Sequence, residues 1–119
     1  MKQTKIVDKY CSAWNEIDKD KRTETLKEIW EEGAKYIDPR ADLTGVEEFV
    51  NHIEKIKLSR PGTRVTRTSK LDLHHGIGRF NWNLKKDDGT ILLEGLDIVY
   101  FDNQGLKIQK IIGFFGVLE

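Results

Sequence analysis

Along the first half of the chain, apolar residues recur every three or four positions. Along the second half they alternate or run together between glycine-containing turns. Residues 1–58 therefore read mostly as helix and residues 63–117 as strands. A first helix from about Thr4 to Ile17 places Ile6, Val7, Tyr10, Ala13, Trp14 and Ile17 on one stripe. Asp18 and Asp20 offer caps for a second helix, which carries Leu26, Ile29 and Trp30 on one face and stops at Gly33. Ala34 to Ile37 predicts a short strand ended by Asp38-Pro39, because proline biases its predecessor toward extended backbone. Thr44 and Glu47 form a capping box ahead of a third helix with a Val46, Phe49, Val50, Ile53 and Ile56 stripe; Arg60-Pro61-Gly62 ends it. Beyond it, turns at Gly76–Gly78, Asp87-Asp88-Gly89 and Asp102–Gly105 separate four extended segments, roughly 63–75, 78–86, 90–101 and 106–117.

Helices first and strands afterwards predict an α+β fold, with the helices packed on one side of an antiparallel meander. The last two segments are apolar on both faces. Leu96, Ile98 and Tyr100 oppose Asp97, Val99 and Phe101; Ile108, Ile112 and Phe114 oppose Ile111 and Phe115. A sheet with one wet face alternates apolar with polar, so both faces are expected to be covered. Helices cover one, and a second copy of the chain is the simplest cover for the other, which predicts a homodimer.

Composition narrows the function classes. The 119 residues suit one domain spanning 1–119, and 38% hydrophobic residues can fill a core. Lysine plus arginine number 20, as do aspartate plus glutamate, so the formal charge is zero and a basic nucleic-acid-binding surface is not expected. Cys11 is the sole cysteine and cannot form an internal disulfide. The polar N-terminal segment does not read as a signal peptide, and no run approaches the ~20 apolar residues of a membrane span. A cytoplasmic protein without nucleic-acid or membrane partners is expected.

Carboxylates set among apolar neighbours are the usual route to an acid or base that works near neutral pH. Asp97 lies mid-strand on the face of Val99 and Phe101, where a charged group is costly unless paired or protonated. Its partner is either a functional group in a cavity or Arg79, His74 or His75 across the sheet. Asp38 stands where a strand gives way to a loop, a position common in sites but on spacing alone more often that of a plain turn former. Tyr10 sits one turn from Trp14 on the buried stripe, and its hydroxyl needs a partner such as a deep carboxylate. His74 and His75 are adjacent on a predicted strand and so point to opposite faces; with one cysteine, no zinc spacing appears and no metal site is expected. Arg79 shares a face with Asn81 and Asn83, opposite Phe80 and Trp82. It is a candidate for pairing with Asp97 or for holding a substrate carboxylate.

Taken in order, several segments resemble the nuclear transport factor 2-like superfamily, specifically its SnoaL-like and ketosteroid-isomerase-like members. They are Tyr10-x-x-Ala13-Trp14-Asn15-x-x-Asp18, Tyr36-x-Asp38-Pro39, Gly45, Asp72-x-His74-His75, Arg79-Phe80-x-Trp82, Glu94-Gly95-x-Asp97 and Gly113-Phe114-Phe115-Gly116. The resemblance implies a cone-shaped fold, with three N-terminal helices packed on a strongly curved, mainly antiparallel sheet around a cavity. Ketosteroid isomerases place a catalytic aspartate beside an Asp-Pro step, a first-helix tyrosine and a late-strand aspartate in that cavity. The resemblance carries these roles onto Asp38, Tyr10 and Asp97. It further implies substrate contacts from Trp14, Tyr36, Trp82 and Phe114, with His74, His75 and Arg79 making the pocket more polar.

The function so implied is binding of a small apolar or cyclic organic molecule, with proton transfer beside a carbonyl and no cofactor. Asp38 would move the proton while Tyr10 and a protonated Asp97 hold the enolate oxygen. An isomerase, polyketide-cyclase or dehydratase activity fits. The alternative is a non-catalytic ligand-binding or protein-interaction module of the same fold.

Overall fold

In a computed structural model of the chain, residues 2–116 are described. Helix α1 spans Lys2–Asn15 and buries Ile6, Val7, Tyr10 and Ala13 of the expected stripe together with Cys11; it ends before Ile17, which is exposed and not part of the buried face. Asp18 caps α2 (Lys19–Ile29), its Oδ1 accepting from the N–H groups of Asp20 and Lys21 at 2.9 and 3.1 Å. The helix stops at Ile29 rather than near Gly33. Trp30 takes extended backbone and opens β1 (Trp30–Asp38), where it pairs with Ile108 and stacks on Phe49 at 4.9 Å. Gly33, at φ +75°, lies where the strand's register shifts, so it makes a bulge and not a helix stop. A second strand, β2 (Ala41–Thr44), folds back on β1 and was not expected.

Helix α3 runs Gly45–Ser59 with Phe49, Val50 and Ile53 buried. Its capping differs from the Thr44–Glu47 box. Thr44 is held extended by pairing with Lys35, its side chain makes no cap bond, and its N–H donates to Glu48 Oε1 at 2.9 Å. The segment expected as one strand over 63–75 is two, β3 (Thr63–Arg67) and β4 (Asp72–His74). Both pair with β5 (Ile77–Lys86), β3 along its far half and β4 along its near end. The break falls where Ser69 Oγ takes the N–H of Asn81, which interrupts the ladder.

Strands β5, β6 (Ile91–Phe101) and β7 (Ile108–Phe115) complete the antiparallel meander, and β1 joins β7 in parallel, so the sheet is mixed but mostly antiparallel. The strand order is β2-β1-β7-β6-β5-β3, with β4 also on β5. A register shift between Tyr100 and Phe101 leaves Gln109 unpaired. Ile108 therefore faces inward with Ile111, not outward with Ile112 and Phe114.

Three helices fill the concave side of this sheet, with Val7, Leu26, Phe49, Ile53, Phe80 and Val99 inaccessible or nearly so. Polar clasps close the edge. The Asn15 amide both donates to and accepts from the Val65 backbone, at 2.8 and 2.7 Å, as a neighbouring strand residue would. Arg22 is fully buried between the helices and holds the Glu16 carbonyl and Glu54.

Candidate active site

Asp97 points inward because it shares strand parity with Val99 and Phe101, and only 4% of it is exposed. Directly opposite Gly95 on β6 stands Trp82 of β5. A Cβ at Gly95 would collide with the Trp82 ring and the Phe114 carbonyl, so glycine is what lets the indole fold across the strand. From there Trp82 Nε1 donates to Asp97 Oδ1 at 2.9 Å. The hydroxyl of Tyr10, reaching in from α1, donates to Asp97 Oδ2 at 3.3 Å.

The second carboxylate arrives from β1. Tyr36 and Asp38 lie two residues apart on one face, and the Tyr36 hydroxyl donates to Asp38 Oδ2 at 2.7 Å. The Arg40 N–H donates to Asp38 Oδ1 at 2.8 Å, closing the turn after Pro39. Gly113 on β7 lies between the two acids. A Cβ there would stand 2.9 Å from Asp97 Oδ1 and 3.4 Å from Asp38 Cβ, so Asp97 Oδ1 and Asp38 Cβ are at most about 6 Å apart. The missing side chain is the space in which the acids approach one another.

Burial governs the electrostatics. It pushes Asp97 up to about 7, against the hydrogen bonds from Trp82 and Tyr10 and with a further push from the Asp38 charge. Tyr10 and Tyr36 are both driven upward, by burial first and the Asp97 charge second, so both are neutral donors. Burial also pushes the Cys11 thiol up to about 12, which leaves it unreactive. His52 is pushed down by burial, partly opposed by the charge of Asp38, so it is neutral at pH 7.

These groups line a cavity of about 90 Å³. Trp14, Tyr36 and Trp82, expected as substrate contacts, border it together with Tyr10, Asp38 and Asp97. Four others do not. His74 and His75 are exposed at the turn between β4 and β5, away from the cavity, with Nδ1 atoms 3.1 Å apart. The expectation that they point to opposite faces fails because His75 leaves the strand at φ 52°. Arg79 is exposed on the outer face and pairs with Asp72 at 2.8 Å, so it is not the partner of Asp97. Phe114 faces outward, 53% exposed, because it pairs with Leu96 on the side away from Asp97; Phe115 borders the cavity instead. Sequence reasoning also missed His52, Arg40 and Arg60 as lining residues. His52 stands three residues after Phe49 on the apolar side of α3, a signal that was available. Among the described residues, no group of three or more His, Cys, Asp or Glu is placed to hold a metal ion.

No family model matches the sequence, and no curated protein sequence matches it. Among solved structures, a proposed isomerase of the SnoaL-like family from Agrobacterium tumefaciens superposes with a TM-score of 0.90 at 30% identity, covering 98% of this chain and 100% of that one. The chain belongs to the SnoaL-like family. More distant structures share the fold of this SnoaL-like protein. A proposed polyketide cyclase from Sinorhizobium meliloti aligns at TM-score 0.71 and 14% identity, over 92% of this chain and 93% of its own. A proposed ketosteroid isomerase from Kribbella flavida aligns at 0.66 and 16%, over 99% and 80%. The nuclear transport factor 2-like fold that the sequence resemblance implied is the fold observed.

Proposed function

We propose that this SnoaL-like protein is a cofactor-independent proton-transfer enzyme, of isomerase or cyclase type, acting on a small enolisable cyclic carbonyl compound. The observation that carries the reading is the convergence of Asp97 and Asp38 over Gly113 in one apolar cavity, each held by a tyrosine. Asp38 is the base: its carboxylate removes a proton from the carbon beside the carbonyl and returns it at another carbon. The electron pair released moves to the carbonyl oxygen, and the enolate so formed needs donors. Trp82 can only donate, so Asp97 Oδ1 is an acceptor and the Asp97 proton, when present, sits on Oδ2 beside Tyr10. The long 3.3 Å Tyr10 bond leaves both groups free to turn toward a ligand oxygen. An Asp97 titrating near neutrality supports this reading over that of a solvated, ion-paired carboxylate.

The test is isomerisation of 3-cyclohexenone to 2-cyclohexenone, together with deuterium uptake from D2O. Asp38→Asn keeps the fold and phenol binding and lowers turnover by about 10²-fold or more. Equal turnover in wild type and variant removes Asp38 from the mechanism. Binding without turnover by the wild type favours the non-catalytic reading.

The same proposal takes the active unit as a homodimer formed through the outer sheet face. There Phe114 pairs with Leu96 and Ile112 with Ile98, presenting apolar side chains that no described element covers. Light scattering is expected to give twice the chain mass of 13.8 kDa, and Phe114→Lys to return it to the monomer. A wild-type monomer at all concentrations excludes this assembly.

A further inference from the structure

Exposure rises along the cavity, from Asp97 and Tyr10, which are buried, through half-buried Trp14 and His52, to exposed Arg40. The outer part carries two guanidinium groups. Arg40 follows the Asp38-Pro39 turn with its guanidinium 5.8 Å from the centre of the Phe115 ring, and Arg60 closes the C-terminal end of α3. The two come from different elements and border the same cavity. Arg22, Arg67 and Arg79 are each matched by a carboxylate, Glu54, Asp8 and Asp72 respectively. Among the described residues, Arg40, Arg60 and Arg64 have no such partner, and of these Arg40 and Arg60 border the cavity.

Of the other titratable acids and histidine that border the cavity, Asp38 is the half-buried carboxylate, Asp97 is buried and His52 is neutral. With Asp97 protonated, the two guanidinium groups and Asp38 leave a single uncompensated positive charge on the lining, which suits a monoanion better than a phosphate dianion. Guanidinium groups also match carboxylate geometry, with two parallel donors to two oxygens. The apolar interior, by contrast, offers the Tyr10 hydroxyl and, when protonated, the Asp97 carboxyl.

We infer that the substrate is a small enolisable carbonyl compound bearing a carboxylate, which Arg40 and Arg60 hold at the cavity mouth while the carbonyl reaches Tyr10 and Asp97. This rests on the proton-transfer reading and adds the chemical class of the molecule. The carboxylate end fixes orientation, so that the carbon beside the carbonyl is presented to Asp38 and not to the aromatic wall.

Two phenols that differ by a carboxylate against a methyl group test it by calorimetry, their hydroxyl standing for the enol oxygen: 4-hydroxyphenylacetate and 4-ethylphenol. At low salt the carboxylate is expected to bind about tenfold tighter or better, an advantage that shrinks as salt is raised. Arg40→Gln and Arg60→Gln each reduce that advantage and leave 4-ethylphenol unchanged, whereas Tyr10→Phe weakens both ligands alike. Circular dichroism confirms that each variant is folded. Equal affinities in the wild type, or an advantage that neither arginine variant alters, overturns the anion site; a continued Tyr10→Phe effect then leaves the proton-transfer reading standing. If Tyr10→Phe changes neither affinity, or neither phenol binds, both readings fall.

Discussion

At the residue scale the decisive group is Asp97, because burying a carboxyl couples its protonation to folding. In the unfolded chain it titrates near 3.8 and in the folded chain at about 7. The folded state therefore holds the proton more tightly, and this contribution to stability is complete below the unfolded value. It is lost as pH rises toward 7, by about 1.4 kcal/mol for each pH unit of displacement, or on the order of a few kcal/mol in all. Asp97→Asn keeps the acceptor for Trp82 and offers N–H groups to Tyr10, but it does not titrate. Urea unfolding at pH 4 and pH 8 is expected to show the variant gaining on the wild type at the higher pH; a gap that does not change with pH removes the buried acid from the account. Asp97 and Tyr10 could be picked from the sequence because strand parity and helical period both fix an inward direction. Parity does not hold through a turn, which is why His75 was misread. Arg79 and Phe114 were misplaced for a different reason. Both lie on the outer face: β5 pairs with β6 so that Arg79 stands beside Ile98 and Phe80 beside Asp97, and Phe114 pairs with Leu96, a register that no residue pattern within one strand announces.

At the element scale the three helices are tied together by one residue that the apolar pattern ignores. Arg22 is fully buried, with Nε and Nη2 on the Glu16 carbonyl just past α1, and Nη1 on Glu54 of α3 at 2.8 Å. A polar residue on a helix reads as solvent-facing, so nothing in the periodicity separates Arg22 from its exposed neighbours Lys19 and Lys21. Removing the guanidinium leaves the carbonyls at the end of α1 without their donor and leaves Glu54 unpaired. Arg22→Ala is expected to cost about 1–3 kcal/mol, measured by denaturant unfolding, the range for leaving buried carbonyls without their donor, since Glu54 is itself 37% exposed and can be hydrated. A loss below about 1 kcal/mol would mean that water replaces it freely. The helices themselves were legible because their stripes are long. The short hairpin strand β2 was not, since four residues carry too little alternation to stand out from the turn that precedes α3.

At the scale of the whole molecule, the sheet and helices enclose a space whose size follows from one indole. The general α+β arrangement was legible in the order of periodicities; the parallel closure of β1 on β7 was not, because it joins residues more than seventy positions apart and leaves no local pattern. Cavity size was equally hidden. At about 90 Å³ the space falls well below the ~300 Å³ at which sites for drug-sized ligands begin, so it suits one small ring better than a fused-ring skeleton. We expect Trp14 to set this limit. Its ring stands edge-on to Phe49 at 5.7 Å, tilts against Tyr36 at 6.0 Å and borders the cavity without being fully buried. Trp14→Ala should enlarge the cavity by most of an indole. Its stability cost should lie toward the lower end of the ~3–5 kcal/mol typical of buried tryptophan truncation, because Trp14 is only half-buried. The enlarged space should shift ligand preference. Wild type is expected to bind phenol in preference to 2-naphthol, and the variant to reverse that order by at least about tenfold, since four added ring carbons at about 0.8 kcal/mol each contribute up to about 3 kcal/mol when fully buried. An unchanged ratio in a folded variant would place the size limit in Phe115 or Trp82 instead. Trp82 is the less free to change, because the same ring that narrows the cavity also holds Asp97.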